Sequence, residues 1–268
     1  MNGITPLLAV LLFLAPAGPD PAEAAARKAV EEFRKAFVND DPAERERAVA
    51  ALVEYPHEIT AKEIGARAFA DPEPGVRSVA AQVLGRMEGF AEIAGPILRD
   101  RIAKEGACPD VLYSIVRGIA KLGYTGARRE LILAGSHFKD DAYVSVTTEV
   151  IRTFGLQKDV KALPWLLSLA EYGEGEVVRG RRGPAMKVPS GQDPAVSRWN
   201  WMRKYGKHAF PKAGTGPDTL DKWWILDLLD AVKAITGVEF EDAAAFRTWL
   251  TEHLKELGLT KADLLPKR

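Results

Sequence analysis

The feature that most constrains this chain is an amphipathic helical pattern that breaks off and returns at intervals of 30 to 38 residues. It is clearest from Val76 to Gly85, where Val76, Val79, Ala80, Val83 and Leu84 fall at i, i+3, i+4, i+7 and i+8, one face of a helix. Asp71-Pro72-Glu73-Pro74 ends the helix before it, and Gly85 and Gly89 bracket the turn after it. The stretch reads as the second helix of a helical hairpin.

Neighbouring segments repeat this grammar. Arg27 to Val38, with Ala29, Val30, Phe33 and Phe37 on one side, returns through Asn39-Asp40-Asp41-Pro42 as Ala43 to Tyr55. Thr60 to Ala70, with Thr60 and Glu63 at capping-box spacing, precedes the Val76 helix. Ala91 to Lys104 pairs with Asp110 to Leu122, and Gly126 to Gly135 with Asp141 to Phe154. The return helices are expected to end at Gly85, Gly123 and Gly155, which are 38 and 32 residues apart, and Arg47 and Arg77 are 30 apart. A unit of this length, one hairpin each, is the signature of an all-α fold of the α-solenoid type.

The combination Asp71-Pro72, Val76-Arg77, Ala80-Ala81 and Leu84-Gly85 resembles a HEAT repeat, particularly the short bacterial kind found in phycobilin-lyase-like proteins. The resemblance covers Asp40 to Leu169; units after the second keep the periodicity but lose the Asp-Pro and the Arg. It implies a right-handed superhelix of stacked hairpins that binds other molecules, and it carries over no catalytic residue. Tetratricopeptide repeats share the length, but their Trp, Gly-Tyr and Pro positions are not met.

The fifth hairpin is interrupted. Asp159 to Glu171 finds its partner only at Trp223 to Ile235, and removing the 46 residues of Tyr172 to Pro217 from the 82 between Gly155 and Gly237 leaves 36, one repeat. Glu241-Asp242 then caps Ala243 to Leu257, read as a helix that closes the last apolar face. The domain reading is therefore a signal segment over 1–24, repeats over 25–171, the insert over 172–217, the completing helix over 218–237 and a capping helix and tail over 238–268.

The insert departs from the repeats in composition. It holds eight Gly and five Pro, which exclude a long helix. From Arg179 to Lys212 it carries nine cations (Arg179, Arg181, Arg182, Lys187, Arg198, Arg203, Lys204, Lys207 and Lys212) against Asp193 alone, a local charge of +8 in a chain whose 37 basic and 37 acidic residues cancel. Trp199, Trp201, Tyr205 and Phe210 are interleaved with them. Guanidinium forks beside planar rings suit carboxylates, phosphates and stackable groups, so Arg179, Arg181, Arg182, Lys187, Arg198, Trp199, Trp201, Arg203, Lys204 and Tyr205 are the candidate binding residues. The alternative is that the insert folds back on the acidic remainder and seals its own groove.

Pro6 to Ala15 is an apolar run too short to span a bilayer, followed by breakers and the A-x-A site Ala22-Glu23-Ala24. It predicts a cleaved signal peptide, although the n-region lacks Lys and Arg; the alternative is an uncleaved anchor. Export turns the expectation from nucleic acid toward a protein partner, an acidic glycan or a lipid surface, with no transmembrane span once the signal is removed. Cys108, the sole cysteine, rules out an intrachain disulfide and a Cys-based metal site.

No catalytic group, metal ligand or cofactor is expected. His57, His137, His208 and His253 have no metal spacing. Ser136 lacks a nucleophile-elbow context, and Asp40-Asp41 and Asp140-Asp141 sit at inter-helix turns where Asp is an N-cap. Gly173-x-Gly175 follows a helix, not a strand. The expected function is a non-enzymatic scaffold that binds a protein or acidic ligand outside the cytoplasm. A self-sealed structural module and an enzyme with an unfamiliar site are the alternatives.

Overall fold

The computed structural model describes residues 20–137, 141–178 and 223–264, and it is all-helical, with no strand among them. Helix α1 spans Pro21–Ala36, α2 Pro42–Ala51, α3 Glu58–Arg67, α4 Pro74–Leu84, α5 Ala91–Ile102 and α6 Pro109–Leu122. They are followed by α7 Arg128–Gly135, α8 Val144–Gln157, α9 Leu163–Val178, α10 Trp223–Thr236 and α11 Ala243–His253. Proline at the first helical position opens α1, α2, α4 and α6, where the missing N–H has no intrahelical partner to lose. Asp20, Asp41 and Asp242 cap α1, α2 and α11 by accepting from the backbone N–H of Ala22, Ala43 and Ala245.

Of the expected boundaries that differ, three change a residue's role. Helix α1 starts at Pro21 rather than Arg27, because Asp20 and Pro21 form a complete start signal ahead of the Ala22-Glu23-Ala24 site. Helix α3 starts at Glu58, capped by His57 Nδ1, which accepts from Ile59 N–H at 3.2 Å. Thr60 is therefore no cap; it is buried within the helix. Helix α9 continues to Val178, so Tyr172–Val178, expected in the insert, belongs to it.

The helices pack in two rows. Helices α1, α3, α5 and α7 each lie against the next, and so do α2, α4, α6, α8 and α10. Within hairpins, α1 packs on α2, α3 on α4, α5 on α6, α7 on α8 and α9 on α10, while α11 lies against α9. Between the rows runs the core. One apolar cluster extends from Phe33 and Leu52 through Leu84, Leu98 and Ile115 to Phe154; a second joins Val144 and Ile151 of α8 to Leu166, Leu228, Phe246 and Leu250. Trp165 packs against both, its ring edge-on to Phe154 at 5.6 Å between centroids.

The glycines expected to end the return helices divide into two kinds. Gly123 does end α6, in the left-handed conformation (φ 61°) that residues with a Cβ adopt only at a cost. Gly155 does not end α8, which runs on to Gln157 with Lys158 as its left-handed cap (φ 50°). Gly155 instead lies against α10, where an added Cβ would sit 2.9 Å from Ala231 Cα. Gly85, though at the end of α4, meets α6: an added Cβ would come within 2.6 Å of Gly118 Cα.

Candidate functional site

Two buried or half-buried arginines stitch consecutive hairpins together, and they correct the expected repeat register. Arg45 grips Asp71 with two hydrogen bonds, Nε to Oδ2 at 2.7 Å and Nη2 to Oδ1 at 3.1 Å. Its Nη1 donates to the carbonyls of Asn39 and Asp40, both at 2.9 Å. Arg77 does the same one hairpin on: Nη1 donates to the carbonyls of Asp71 (2.9 Å) and Pro72 (2.7 Å), and Nε reaches Glu105 at 3.1 Å. The turn acceptors match too, since Asn39 Oδ1 accepts from Asp41 N–H and Asp71 Oδ1 from Glu73 N–H. The equivalent of Arg77 is therefore Arg45, 32 residues earlier, and not Arg47, which is exposed and pairs with Glu44.

In that pair, burial works to raise the Asp71 carboxyl. The Arg45 guanidinium and the Glu73 N–H outweigh it and hold the group below the ordinary carboxylate range. These side chains are spent on architecture. Cys108, at the N-cap of α6, accepts weakly from Arg77 Nη2 at 3.5 Å and belongs to the same brace.

Among the described residues one surface pocket, of about 490 Å³, opens over the Arg45–Asp71 brace, and two others stand apart from it. The first of these two is a groove of about 530 Å³ between α7 and α9, lined by Ile132, Pro164, Trp165 and Leu264. Its rim carries Lys161 and the Glu171–Arg247 ion pair, and Ser136 Oγ, which donates to Ile132 O at 2.6 Å.

The second is a cleft of about 150 Å³ between α4 and α6, directly over the Gly85–Gly118 contact. Two stripes face each other across it: Ser78 and Gln82 on α4 with Arg86 in the turn just after it, and Tyr113, Arg117 and Lys121 on α6. Gln82, Arg86, Tyr113, Ser114, Arg117 and Lys121 line it, while Ser78 and Ser114 close its floor through a 2.7 Å hydrogen bond between their hydroxyls. Arg86, Arg117 and Lys121 are exposed, and among the described residues no carboxylate pairs with any of them. Arg117 and Lys121 stand at i and i+4, a like-charge spacing that destabilises a helix by roughly 0.2–0.5 kcal/mol.

The helices that pack on either side of this pair carry acidic groups of their own. Glu46 of α2 leans over Gly75 at the start of α4. Glu149 of α8 neighbours Arg152, which Asp227 of α10 holds by two hydrogen bonds at 2.8 and 3.2 Å.

All ten candidate binding residues of the insert, Arg179 through Tyr205, lie outside the described residues, as does His208. Of the other histidines, His57 caps α3, His137 lies tilted against Tyr143 at 5.0 Å between ring centroids and His253 stacks on Trp249 at 4.4 Å. Among the described residues no group of three or more His, Cys, Asp or Glu could hold a metal ion, and no helix is long and apolar enough to cross a membrane. The α4–α6 cleft escapes a reading by composition because its cations are two helices apart in the chain. Their signal is the four-residue spacing of Tyr113, Arg117 and Lys121. Comparison of the chain with protein-family models, with curated proteins and with solved structures finds no match.

Proposed function

We propose that this protein is an exported, right-handed α-solenoid of HEAT-like hairpins that works as a non-enzymatic scaffold for an acidic partner, with the basic, aromatic insert as part of its recognition surface. The observation that carries the reading is the row α2, α4, α6, α8 and α10, in which each helix lies against the next and backbones meet through glycine at Gly85–Gly118 and Gly155–Ala231. Two stacked rows curve toward the one whose helices approach more closely, which makes the even row the inner face, where one ligand meets several helices. The repeated Arg45 and Arg77 braces support the same reading, because each ties one hairpin to the next at equivalent positions. Export is supported by the apolar run from Pro6 to Ala15 and the A-x-A site after it.

The experiment is capture of the full chain on immobilised polyglutamate across a salt series. Capture that falls steeply with salt and is weakened by Arg179→Glu, Arg181→Glu and Arg182→Glu together, at unchanged melting temperature, supports the scaffold. No capture at low salt, with the melting temperature lowered by Trp199→Ala or Trp201→Ala, favours a self-sealed structural module instead.

A further inference from the structure

We infer that the cleft between α4 and α6 is a carboxylate-binding site that seats an acidic side chain of a protein partner between Arg86, Arg117 and Lys121. The inference rests on the scaffold reading and names where on the inner face the partner is held.

Most arginines of the described chain are already engaged. Arg27, Arg34, Arg45, Arg47, Arg67, Arg77, Arg99, Arg128, Arg152 and Arg247 all reach a carboxylate, and Arg101 donates to the carbonyls of Gly65 and Phe69. Against that background two unpaired arginines and a lysine converge on one cleft. A cation in the last turn complements the helix dipole, which accounts for Lys121, while Arg86 lies in the turn two residues beyond the end of α4. The dipole does not account for Arg117, which lies a turn further in and opposes Lys121 at i+4. An anion between them removes that repulsion.

The rest of the site suits a carboxylate. Guanidinium forks take carboxylate oxygens two at a time, and Gln82 and the Tyr113 phenol add neutral polar groups to the lining. The floor is rigid, because Gly85 and Gly118 bring the two backbones together beneath it and the Ser78–Ser114 hydrogen bond closes it. Its size, about 150 Å³, fits one side chain rather than a strand of polymer.

Charge around the cleft selects among anionic partners. A nucleic-acid backbone is negative at every step, whereas the neighbouring helices of the row carry Glu46 on α2 and, with Arg152 between them, Glu149 and Asp227 on α8 and α10. A protein segment presents one carboxylate or a short cluster and leaves the flanking acids alone. Such a segment is the occupant.

Fluorescein-labelled hexaglutamate provides the probe, with binding to the full chain followed by anisotropy at low and high salt. Arg117→Glu and Lys121→Glu are each expected to weaken binding by about tenfold or more, and Arg117→Gln by less. Arg129→Glu, an exposed α7 cation on the other row, is expected to leave it unchanged. Equal melting temperatures show that all four variants are folded. Equal binding by wild type and the cleft variants overturns the inference. If that binding is lost on reversing Arg179, Arg181 and Arg182, the scaffold reading stands and the cleft alone falls. A short duplex DNA or a phosphatidylserine vesicle that binds through Arg117 where hexaglutamate does not overturns the protein occupant. Absence of hexaglutamate binding at low salt overturns the cleft, while polyglutamate capture decides the scaffold separately.

Discussion

Thr60 carries an unpaired polar group into the core. Its hydroxyl is fully buried, three residues inside the N-cap of α3, and among the described residues it has no hydrogen-bond partner. A buried unpaired hydroxyl costs about 1–3 kcal/mol, and valine keeps its shape without that cost, so Thr60→Val is expected to raise the unfolding free energy by about 1 kcal/mol in urea denaturation. The sequence placed Thr60 at the cap because Thr followed three residues later by Glu is a good local signal, and the histidine before it is an uncommon cap.

The carboxylates set the acid limb of stability. Glu63 is held low first by its hydrogen bond from Arg34 and then by Arg67, and Asp71 is held low by Arg45 against burial. A carboxyl whose pKa is lower folded than unfolded stabilises the fold above its unfolded value, about 3.9 for Asp and 4.3 for Glu, and that contribution is lost as pH falls through the folded value. The melting temperature is expected to stay level from neutral pH to about 5 and to drop below about 4. Asp71→Asn is expected to lower it by several degrees at neutral pH and to make the acid limb shallower.

At the scale of elements, nearly every helix was legible, because one apolar face in 3.6 residues and a Pro, Asp or Gly at each turn are local signals. The contacts between helices were less legible, and Gly85, Gly118 and Gly155 show why. A glycine at a helix end reads as punctuation, whereas its role here lies in a helix far along the chain. In an open helix Gly→Ala gains about 1 kcal/mol of helix propensity. At position 118, however, the new Cβ would stand 2.9 Å from the carbonyl oxygen of Ala81 and 3.0 Å from Leu98 Cδ1. A backbone atom cannot turn aside, so overpacking of about 1–3 kcal/mol outweighs the gain. Gly118→Ala is expected to be destabilising in denaturant titration, and it deforms the floor of the α4–α6 cleft. The braces of Arg45 and Arg77 were hidden for a related reason. Charge in an amphipathic helix is assigned to the solvent side, and only the repeat of Pro-x-x-Arg at 32 residues marks these two as different.

At the scale of the whole molecule, Trp165 is the one large side chain among the described residues that the two apolar clusters share. Trp165 touches both, standing edge-on to Phe154 and lying close over Gly135, where an added Cβ would come within 2.6 Å of its ring. Helices that contact mainly their neighbours fold cooperatively only as far as each interface outweighs the cost of ordering the next unit. The interface around Trp165 carries that burden between α8 and α9, together with the contacts of α8 with α10. Trp165→Ala opens a cavity at the junction worth about 3 kcal/mol, a loss that falls on coupling more than on either cluster. Hydrogen exchange is expected to read this directly. In the wild type the amides of Leu166, Leu228 and Leu250 exchange with the same opening free energy as those of Leu84 and Ile115. In the variant the first group loses protection while the second keeps it. Equal losses in both groups would mean that the chain opens as one unit and that α8 and α10 alone couple its ends.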